Sequence, residues 1–335
     1  MSTPPSSIIH ICLFVGLWSV SAGAAPNALQ VFDEFSRIFD DHYAFFALRG
    51  VDWEQQKKTF RPKVHASLSD DDLYAILCQM IDPLDDGHTS VYRGTSRCRS
   101  ADYPPWRPKM AEIEAFIVAK YLKGSARHAG AISYGPINDE TAYINIHHMG
   151  GCTLLGLPRQ TAPELDEALA TMTKATKIIV DVRFNGGGYD ACALGFASRF
   201  TDQKRLVATK ETYYKGRWRD RRDIHISPKG RVNTTARLIV LTSRGTVSAG
   251  EVFVMAVSTL PQATIIGERT EGMHSDIYER KLSNGWKVGL SNESYTLPDG
   301  KIYEKIGRSP QISIPFSGDV IEQGTDEILE RALTL

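Results

Sequence analysis

Four short stretches of the chain place residues that can do chemistry at turns beside strands or helices. In the first, Thr-Val-Ser248-Ala249-Gly-Glu251 follows the apolar run Leu238–Leu241. A serine between a strand and a helix stands at the helix N-terminus, where the dipole and free N–H groups favour developing negative charge. The same spacing, Ser-x-x-Glu, is a capping box that only closes the helix end. Taken alone, this stretch leaves both interpretations open.

The second stretch is Asn185-Gly186-Gly187-Gly188, directly after a predicted strand over 177–182. Glycines let backbone N–H groups approach a ligand closely, so this turn can form an oxyanion hole, a phosphate cradle or a plain tight turn. Its Gly-x-Gly-x-x-Ala spacing also matches the dinucleotide fingerprint. That fingerprint expects an acidic residue about 20 positions later, where Arg-Leu-Val stands at 205–207. The sequence therefore disfavours dinucleotide binding.

The third and fourth stretches contain a histidine and a glutamate in turns. His88, in Asp-Asp-Gly-His-Thr-Ser, is either a solvated turn residue or a general base, because imidazole titrates near neutral pH. Glu304 follows a predicted hairpin turn at Asp299-Gly300 and by itself indicates only a surface carboxylate.

The elements that must position these residues change type along the chain. Apolar residues at helical spacing predict helices over 28–40, 52–61 and 69–81, and the Pro-rich stretch 103–108 marks a boundary. Beyond it, strand and helix patterns alternate, which indicates an α/β fold with a buried sheet. Predicted strands cover 113–119, 132–134, 141–146, 177–182, 238–241 and 263–266, and predicted helices cover 162–173, 190–200, 249–258 and 325–332. We expect a helical N-terminal domain over 25–100 and a core over 101–335.

Composition and charge exclude some classes of protein. The 335 residues are 42% hydrophobic and 23% charged, with 39 basic and 39 acidic side chains, so nothing indicates disorder or a nucleic-acid-binding surface. Residues 1–24 contain an apolar run and a small-residue cleavage site, which predicts a signal peptide, export and no stable membrane insertion after cleavage. Cys78, Cys98, Cys152 and Cys192 would remain, and the sequence does not choose between disulfides and free thiols.

The joint order of the motifs resembles that of the tail-specific, or C-terminal-processing, peptidase family, which includes the tricorn core protease and the retinoid-binding repeats of vertebrate retina. The matching segments are Asp86–Thr89, Asp181–Gly188, Thr246–Glu251, Gly267–Gly272 and Tyr303–Pro310. Weaker similarity extends from about residue 32 to the C-terminus. The resemblance implies a crotonase/ClpP-like β-α core with a small helical N-terminal domain, and no metal or organic cofactor.

The resemblance also implies a nucleophile and its oxyanion donors. The serine of the Ser-Ala-x-Glu segment corresponds to Ser248. The N–H of the following residue, Ala249, and an N–H of the glycine cluster, Gly186 or Gly187, correspond to the oxyanion hole.

For the general base, the family offers a lysine or a histidine. Met273 stands where the lysine branch has its base, so the resemblance implies the histidine branch, with His88 as base and Glu304 as the group that orients it. Gly87 stands where the tricorn branch has a hydroxyl residue before the histidine, which leaves the part of Thr89 open, and His274 is a reserve base.

The expected function is therefore that of an exported serine peptidase acting on a peptide or protein substrate through an acyl-enzyme. Only about 25 residues separate Thr89 from the first predicted core strand, so no PDZ domain is expected there. Two alternatives stay open: a non-catalytic binding protein for an apolar ligand on the same fold, and a small-molecule esterase or amidase.

Overall fold

The computed structural model describes residues 26–154 and 157–335, with only the backbone for 153, 154, 157 and 158. The predicted signal peptide, residues 1–24, lies outside the described residues. Among those that are described, no helix is both long and apolar enough to cross a bilayer.

Helices and strands alternate along most of the described chain. The α-helices are α1 (Ala28–His42), α2 (Phe46–Arg49), α3 (Trp53–Phe60), α4 (Asp70–Ile81), α5 (Met110–Tyr121), α6 (Pro163–Thr171), α7 (Asp190–Ala197), α8 (Ala249–Val257), α9 (Val320–Gln323) and α10 (Glu327–Thr334). The strands are β1 (Ser90–Arg93), β2 (Ser96–Arg99), β3 (Arg127–Ala129), β4 (Ile132–Pro136), β5 (Thr141–Ile146), β6 (Thr153–Leu154), β7 (Leu157–Pro158), β8 (Lys177–Asp181), β9 (Arg205–Tyr214), β10 (Arg217–Ile226), β11 (Arg237–Thr242), β12 (Ala263–Gly267), β13 (Ile277–Lys281), β14 (Lys287–Ser291), β15 (Glu293–Thr296) and β16 (Ile312–Ser313).

The largest sheet of the described residues has the order β16-β12-β11-β8-β5-β4-β3. Its strands from β16 to β5 are parallel, and β4 and β3 are antiparallel to their neighbours. Ile178 and Val180 of β8 pack in the core that includes α6, α7 and α8, whereas Ile179 packs in the core that includes α5 and α10. Both faces are covered because successive strand residues point to opposite sides. The predicted α/β class is confirmed.

The N-terminal helices form a separate core that also contains strands from late in the chain. Phe35, Phe39 and Trp53 pack with Trp286 and with residues of β14. Accordingly, β13 and β14 join β1 and β2 in a four-stranded sheet of order β13-β14-β1-β2. The division at residues 100 and 101 stays a prediction about the domains; in space, the N-terminal part and residues 277–291 form one packed unit.

The predicted strand over 113–119 is wrong, because this segment lies inside helix α5. The buried residues of α5 are Ile113, Ile117 and Tyr121, which recur every four positions and form one helix face. The isoleucine and valine content suggested a strand, but the period of the buried positions is helical. The predictions for the three N-terminal helices agree with α1, α3 and α4 to within two residues at each end.

The four cysteines of the described residues form two disulfides, Cys78–Cys98 and Cys152–Cys192. The first joins α4 to β2 and closes the loop that contains His88. The second joins the segment after β5 to α7, close to the glycine turn. Met149, in that same segment, donates its N–H to Gly187 O at 2.8 Å. The first disulfide thus constrains the loop of His88, and the second constrains the segment that bonds the glycine turn.

Candidate active site

Ser248 occupies the turn between β11 and α8 in a backbone conformation that is unusual for a residue with a side chain. Its φ is 57° and its ψ is −126°, and its side chain makes no capping hydrogen bond. The Glu251 carboxylate accepts instead from the Gly272 and Met273 amides at 2.8 and 2.7 Å. The capping-box interpretation is therefore wrong. A strained backbone that presents a hydroxyl not used by the helix is typical of a functional position.

The glycine turn lies directly against Ser248. A Cβ placed on Gly187, whose φ is +97°, would lie 2.7 Å from Ser248 Cβ and 3.2 Å from Oγ. The Gly187 N–H donates to Asn185 Oδ1 at 2.9 Å. Its expected role as an oxyanion donor is therefore corrected, because the hydrogen is already engaged. Among the described residues, the amides of Gly186 and Ala249 have no acceptor, which leaves them free to bind developing negative charge.

Replacing Gly187 with alanine is expected to reduce the reactivity of Ser248 about 100-fold, since a displacement of about 1 Å can cost that much. The new methyl group would overlap the Ser248 side chain. Gly216→Ala is the matched control: its φ is +75°, and a Cβ there meets nothing within 4 Å. Both variants have the backbone strain of alanine at positive φ, so thermal unfolding should shift in both and reactivity only in Gly187→Ala. Equal reactivity of the two variants would contradict the packing argument.

His88 is buried, with 5% of its surface exposed. Its backbone N–H donates to Asp86 Oδ1 at 3.0 Å, and Asp86 Oδ2 accepts from Tyr43 at 3.0 Å. Burial lowers the pKa of the imidazole, and the Asp86 charge partly opposes this. Nδ1 is buried without a partner among the described residues. The ring is therefore held in its neutral, proton-accepting form.

The backbone around Met273 connects His88 with the serine. Met273 O accepts the Ser248 N–H at 3.1 Å, and the Met273 sulfur would lie 2.3 Å from a Cβ on Gly87. The turn that carries His88 thus packs on the residue that also anchors Ser248. No direct hydrogen bond joins the two side chains within residues 26–154 and 157–335.

Glu304 lies in the same buried region but is bonded to other groups. Its Oε2 accepts from the amides of His274 and Ser275 at 2.8 and 3.0 Å, and Arg49 Nη2 lies 3.4 Å from its Oε1. Burial and the charge of Asp86 raise the pKa of Glu304 to about 8, against the effect of Arg49. In the described part of the chain, no hydrogen bond brings Glu304 to His88. Its contacts position the 274–275 backbone.

The reserve base His274 has a different environment. Its side chain is buried, and its Nε2 lies 3.5 Å from Glu251 Oε1. Burial, together with the charge of Arg308, lowers the pKa of His274 to about 3, and burial raises the pKa of Glu251 to about 7. An imidazole so weakly basic is poorly matched to proton transfer near neutrality. Thr89 Oγ1 is buried and, within the described residues, makes no hydrogen bond.

Ser248 opens into a cleft of about 520 Å³ whose lining combines charged and apolar side chains. Lys210, which also lines it, is buried among carboxylates: its Nζ lies 2.6 Å from Glu293, 2.7 Å from Asp276 and 3.4 Å from Asp190. These ion pairs satisfy the lysine, while the half-exposed Asp276 faces the cleft. The charged groups of this cleft suit the polar backbone of a peptide.

Sequence reasoning missed two residues that organise this site. Asn185 holds the glycine turn through its side chain, which donates to Ile146 O at 2.8 Å and accepts from Gly187. Met273 was noted only because it occupies the position at which the lysine branch of the family has its base. An asparagine before three glycines is a signal for the first, because Asn side chains commonly bond the backbone two residues on. No sequence signal indicates the contact of Met273 with Gly87.

The strand–turn–helix that carries Ser248, and the glycine turn packed on it, define an α/β protein that presents a serine at a helix N-terminus. A family model described as peptidase family S41 matches residues 140–314, more than half of the chain, and one described as the tricorn protease C1 domain matches residues 25–82. The chain belongs to peptidase family S41. This confirms the resemblance to the tail-specific peptidases.

Individual relatives agree with this assignment. The chain is 28% identical over 188 residues to the chloroplastic C-terminal processing peptidase of Tetradesmus obliquus, covering 56% of this chain and 38% of that protein. It is 27% identical over 202 residues to the tricorn protease of Thermoplasma volcanium, covering 59% of this chain and 17% of that protein. A crystal structure of a candidate peptidase from Parabacteroides merdae superposes with a TM-score of 0.80 at 26% identity, covering 92% of this chain and 96% of that one. The chain thus spans well under half the length of these two curated relatives.

Proposed function

We propose that the protein is a serine peptidase with Ser248 as its nucleophile. The observation that carries the proposal is the conformation of Ser248: a non-glycine residue at positive φ, at the start of α8, with a hydroxyl that caps nothing. Membership of peptidase family S41 supports a peptide substrate.

In the proposed reaction, Ser248 Oγ attacks the scissile carbonyl carbon while His88 takes the hydroxyl proton. The oxyanion faces the amides of Ala249 and Gly186. The C–N bond then breaks as His88 returns the proton to the leaving amine. Water attacks the acyl-enzyme with His88 again as base, which releases a carboxylate and restores the serine. Each oxyanion donor is typically worth about 2.7–4 kcal/mol of barrier.

Glu304 is proposed to act as a positioning residue. It holds the amides of His274 and Ser275, and these residues directly follow Met273, which anchors Ser248.

Export is part of the proposal. The predicted signal peptide over 1–24 supports it, and so do the two disulfides, since structural disulfides persist in oxidising compartments.

The test is labelling of the mature protein with an uncharged fluorophosphonate, which phosphonylates an activated serine with loss of fluoride. We expect labelling at Ser248, mapped by mass spectrometry, and a labelling rate about 10²–10⁴-fold lower in His88→Ala. His274→Ala is the matched control and should label normally. Loss in His274→Ala but not in His88→Ala would reassign the base. A folded protein that does not label at all would favour the ligand-binding alternative. Turnover of esters but not of a peptide panel would favour the esterase alternative.

The pH dependence of kcat/KM should report on His88. Protonation removes the base, so activity falls as pH drops through its pKa, which burial places below the ordinary value. Asp86 raises that pKa, so Asp86→Asn should move the acid limb to still lower pH. Asp71→Asn, at an exposed ion pair with Arg93, should leave the limb in place. An acid limb above the ordinary histidine range, or one that Asp86→Asn moves upward, would contradict the assignment.

A further inference from the structure

An aromatic–arginine stack lies beside the candidate oxyanion site. The guanidinium carbons of Arg99 and Arg107 each lie 3.9 Å from the centre of the Tyr103 ring. Both guanidinium groups therefore lie against the Tyr103 ring. Guanidinium groups stack favourably on aromatic faces, which fixes their planes.

The stack spans the two backbone turns that define the candidate site. Arg99 Nη2 donates to Gly87 O at 3.0 Å, next to His88. Arg107 Nη2 would lie 3.2 Å from a Cβ on Gly186, whose amide is one of the two proposed oxyanion donors. The stack therefore lies within one residue of both His88 and the oxyanion position.

The segment that carries Arg107 is firmly anchored. The neighbouring Trp106 is buried, and its ring packs edge-on against Phe184 and Phe316 at 5.7 and 5.1 Å. It fills the space that side chains at Gly245 and Gly318 would occupy. A fixed neighbour holds the backbone of Arg107 in place, so the backbone of this segment loses little conformational freedom when a ligand binds.

Among the described residues, neither guanidinium group forms an ion pair with a carboxylate, and Arg99 Nε and Nη1 are buried without an acceptor. Burial lowers the pKa of Arg99, with a smaller opposing effect of Tyr103. The adjoining cleft of about 490 Å³ is lined by four cationic and three acidic side chains, so the stack adds to a positive excess.

We propose that Arg107, held by Tyr103 and supported by the charge of Arg99, is a specificity residue that binds a carboxylate of the peptide substrate beside Gly186. This inference rests on the proposed peptidase function. Arginine suits the role because its planar fork matches carboxylate geometry. One extended residue spans about 3.3–3.6 Å, so the carboxylate would lie within about two residues of the scissile bond. It is either an Asp or Glu side chain or the C-terminus of a short peptide.

The test uses matched, internally quenched eight-residue peptides, with a cleavage site first identified in a mixed peptide library. One pair differs by Glu or Gln next to the scissile bond, and another by a free or amidated C-terminus close to it. We expect kcat/KM to be about 10- to 100-fold higher for the carboxylate member of one pair, the range for hydrogen bonds to charged groups. The pair that shows the preference identifies the source of the carboxylate.

Arg107→Gln should remove the preference, so that the ratio of kcat/KM between the carboxylate peptide and its neutral counterpart falls to about 1. Arg107→Glu should instead favour a Lys peptide over its Gln counterpart. Arg219→Gln is the matched control, because Arg219 also stacks on a tyrosine, Tyr214 at 5.1 Å, in the exposed β9–β10 hairpin. It should keep the full preference.

The same peptides, labelled with fluorescein, are also titrated against Ser248→Ala by fluorescence anisotropy, so that binding is measured without catalysis. Equal affinity for the charged and neutral members of both pairs, or a preference that survives Arg107→Gln, overturns the inference. Fluorophosphonate labelling of Ser248 separates the two failures, since that uncharged probe needs no carboxylate site. Labelling without a carboxylate preference contradicts only the proposed role of Arg107. Absence of labelling contradicts the proposed peptidase function.

Discussion

Ser248→Ala is expected to lower kcat/KM for a peptide substrate by about 10⁴–10⁶-fold while the protein keeps its fold. Removing the hydroxyl removes the nucleophile and with it the acyl-enzyme path. The fold should persist because the side chain of Ser248 makes no capping hydrogen bond. Alanine at φ of 57° has the same backbone strain as serine there, so thermal unfolding should change little.

Ser258→Ala is the matched control, since it removes a hydroxyl at the other end of the same helix. Ser258 Oγ donates to Val254 O at 2.6 Å, so this variant should be slightly less stable. Its activity should not change. Measuring kcat/KM and thermal unfolding for both proteins separates the two effects. Residual activity above about a hundredth of the original in Ser248→Ala would sink the nucleophile assignment.

Arg183→Met is expected to lower the free energy of unfolding by about 3–5 kcal/mol, the cost of breaking a buried ion pair from one side. Arg183 has no exposed surface, and its guanidinium bonds Asp181 at 2.6 Å and Asp326 at 2.7 Å. Tyr143 also donates to Asp181 at 2.7 Å. Burial alone would lower the pKa of Arg183, but the two carboxylates raise it well above its ordinary value. Without the arginine, two carboxylates remain buried and uncompensated.

Chemical denaturation of Arg183→Met and of Arg221→Met measures this cost. Arg221 has 70% of its side chain exposed and lies 3.8 Å from Glu211, so its replacement should change stability by less than about 0.5 kcal/mol. Similar midpoints for the two variants would show that the buried network contributes no net stability. The site should suffer as well, because Arg183 stands two residues before Asn185, which holds the glycine turn.

The parts of the fold that the sequence predicted well are continuous apolar runs of strand or helix length. The strand over 177–182 and the helix over 249–258 agree with β8 and α8 to within one residue, since a short apolar run favours a buried strand and a longer one a buried helix. The segment 113–119 was misjudged because residue type was weighed above period. Strands β13 and β14 were missed. They pair with each other as a local hairpin, whereas the pairing of β14 with β1 joins residues nearly 200 positions apart, and no local pattern encodes that second pairing.

For the candidate site, the sequence indicated the residues but not the bonds between them. Motif order pointed to Ser248, His88 and Glu304, whose catalytic roles stay proposals. The bond from the Gly187 amide to Asn185 is local, and Asn before three glycines is a signal for it. That Glu304 bonds the 274–275 backbone rather than His88 depends on the exact path of turns. Such turns are held by side-chain-to-backbone hydrogen bonds whose partners are distant in sequence, as between Asn185 and Ile146, and spacing along the chain contains no information on those partners.

The four-stranded sheet that joins β1 and β2 to β13 and β14 affects how the molecule unfolds. A cut between residues 100 and 101 would give a helical fragment lacking half of its sheet and the buried Trp286, and a remainder with that tryptophan uncovered. We expect each piece to be less stable than the intact chain, because the cut divides one packed core. Thermal unfolding should therefore be cooperative across the whole chain. If the N-terminal helices detach, the turn that carries His88 leaves the candidate site with them, so a partly unfolded molecule should have an unreactive serine.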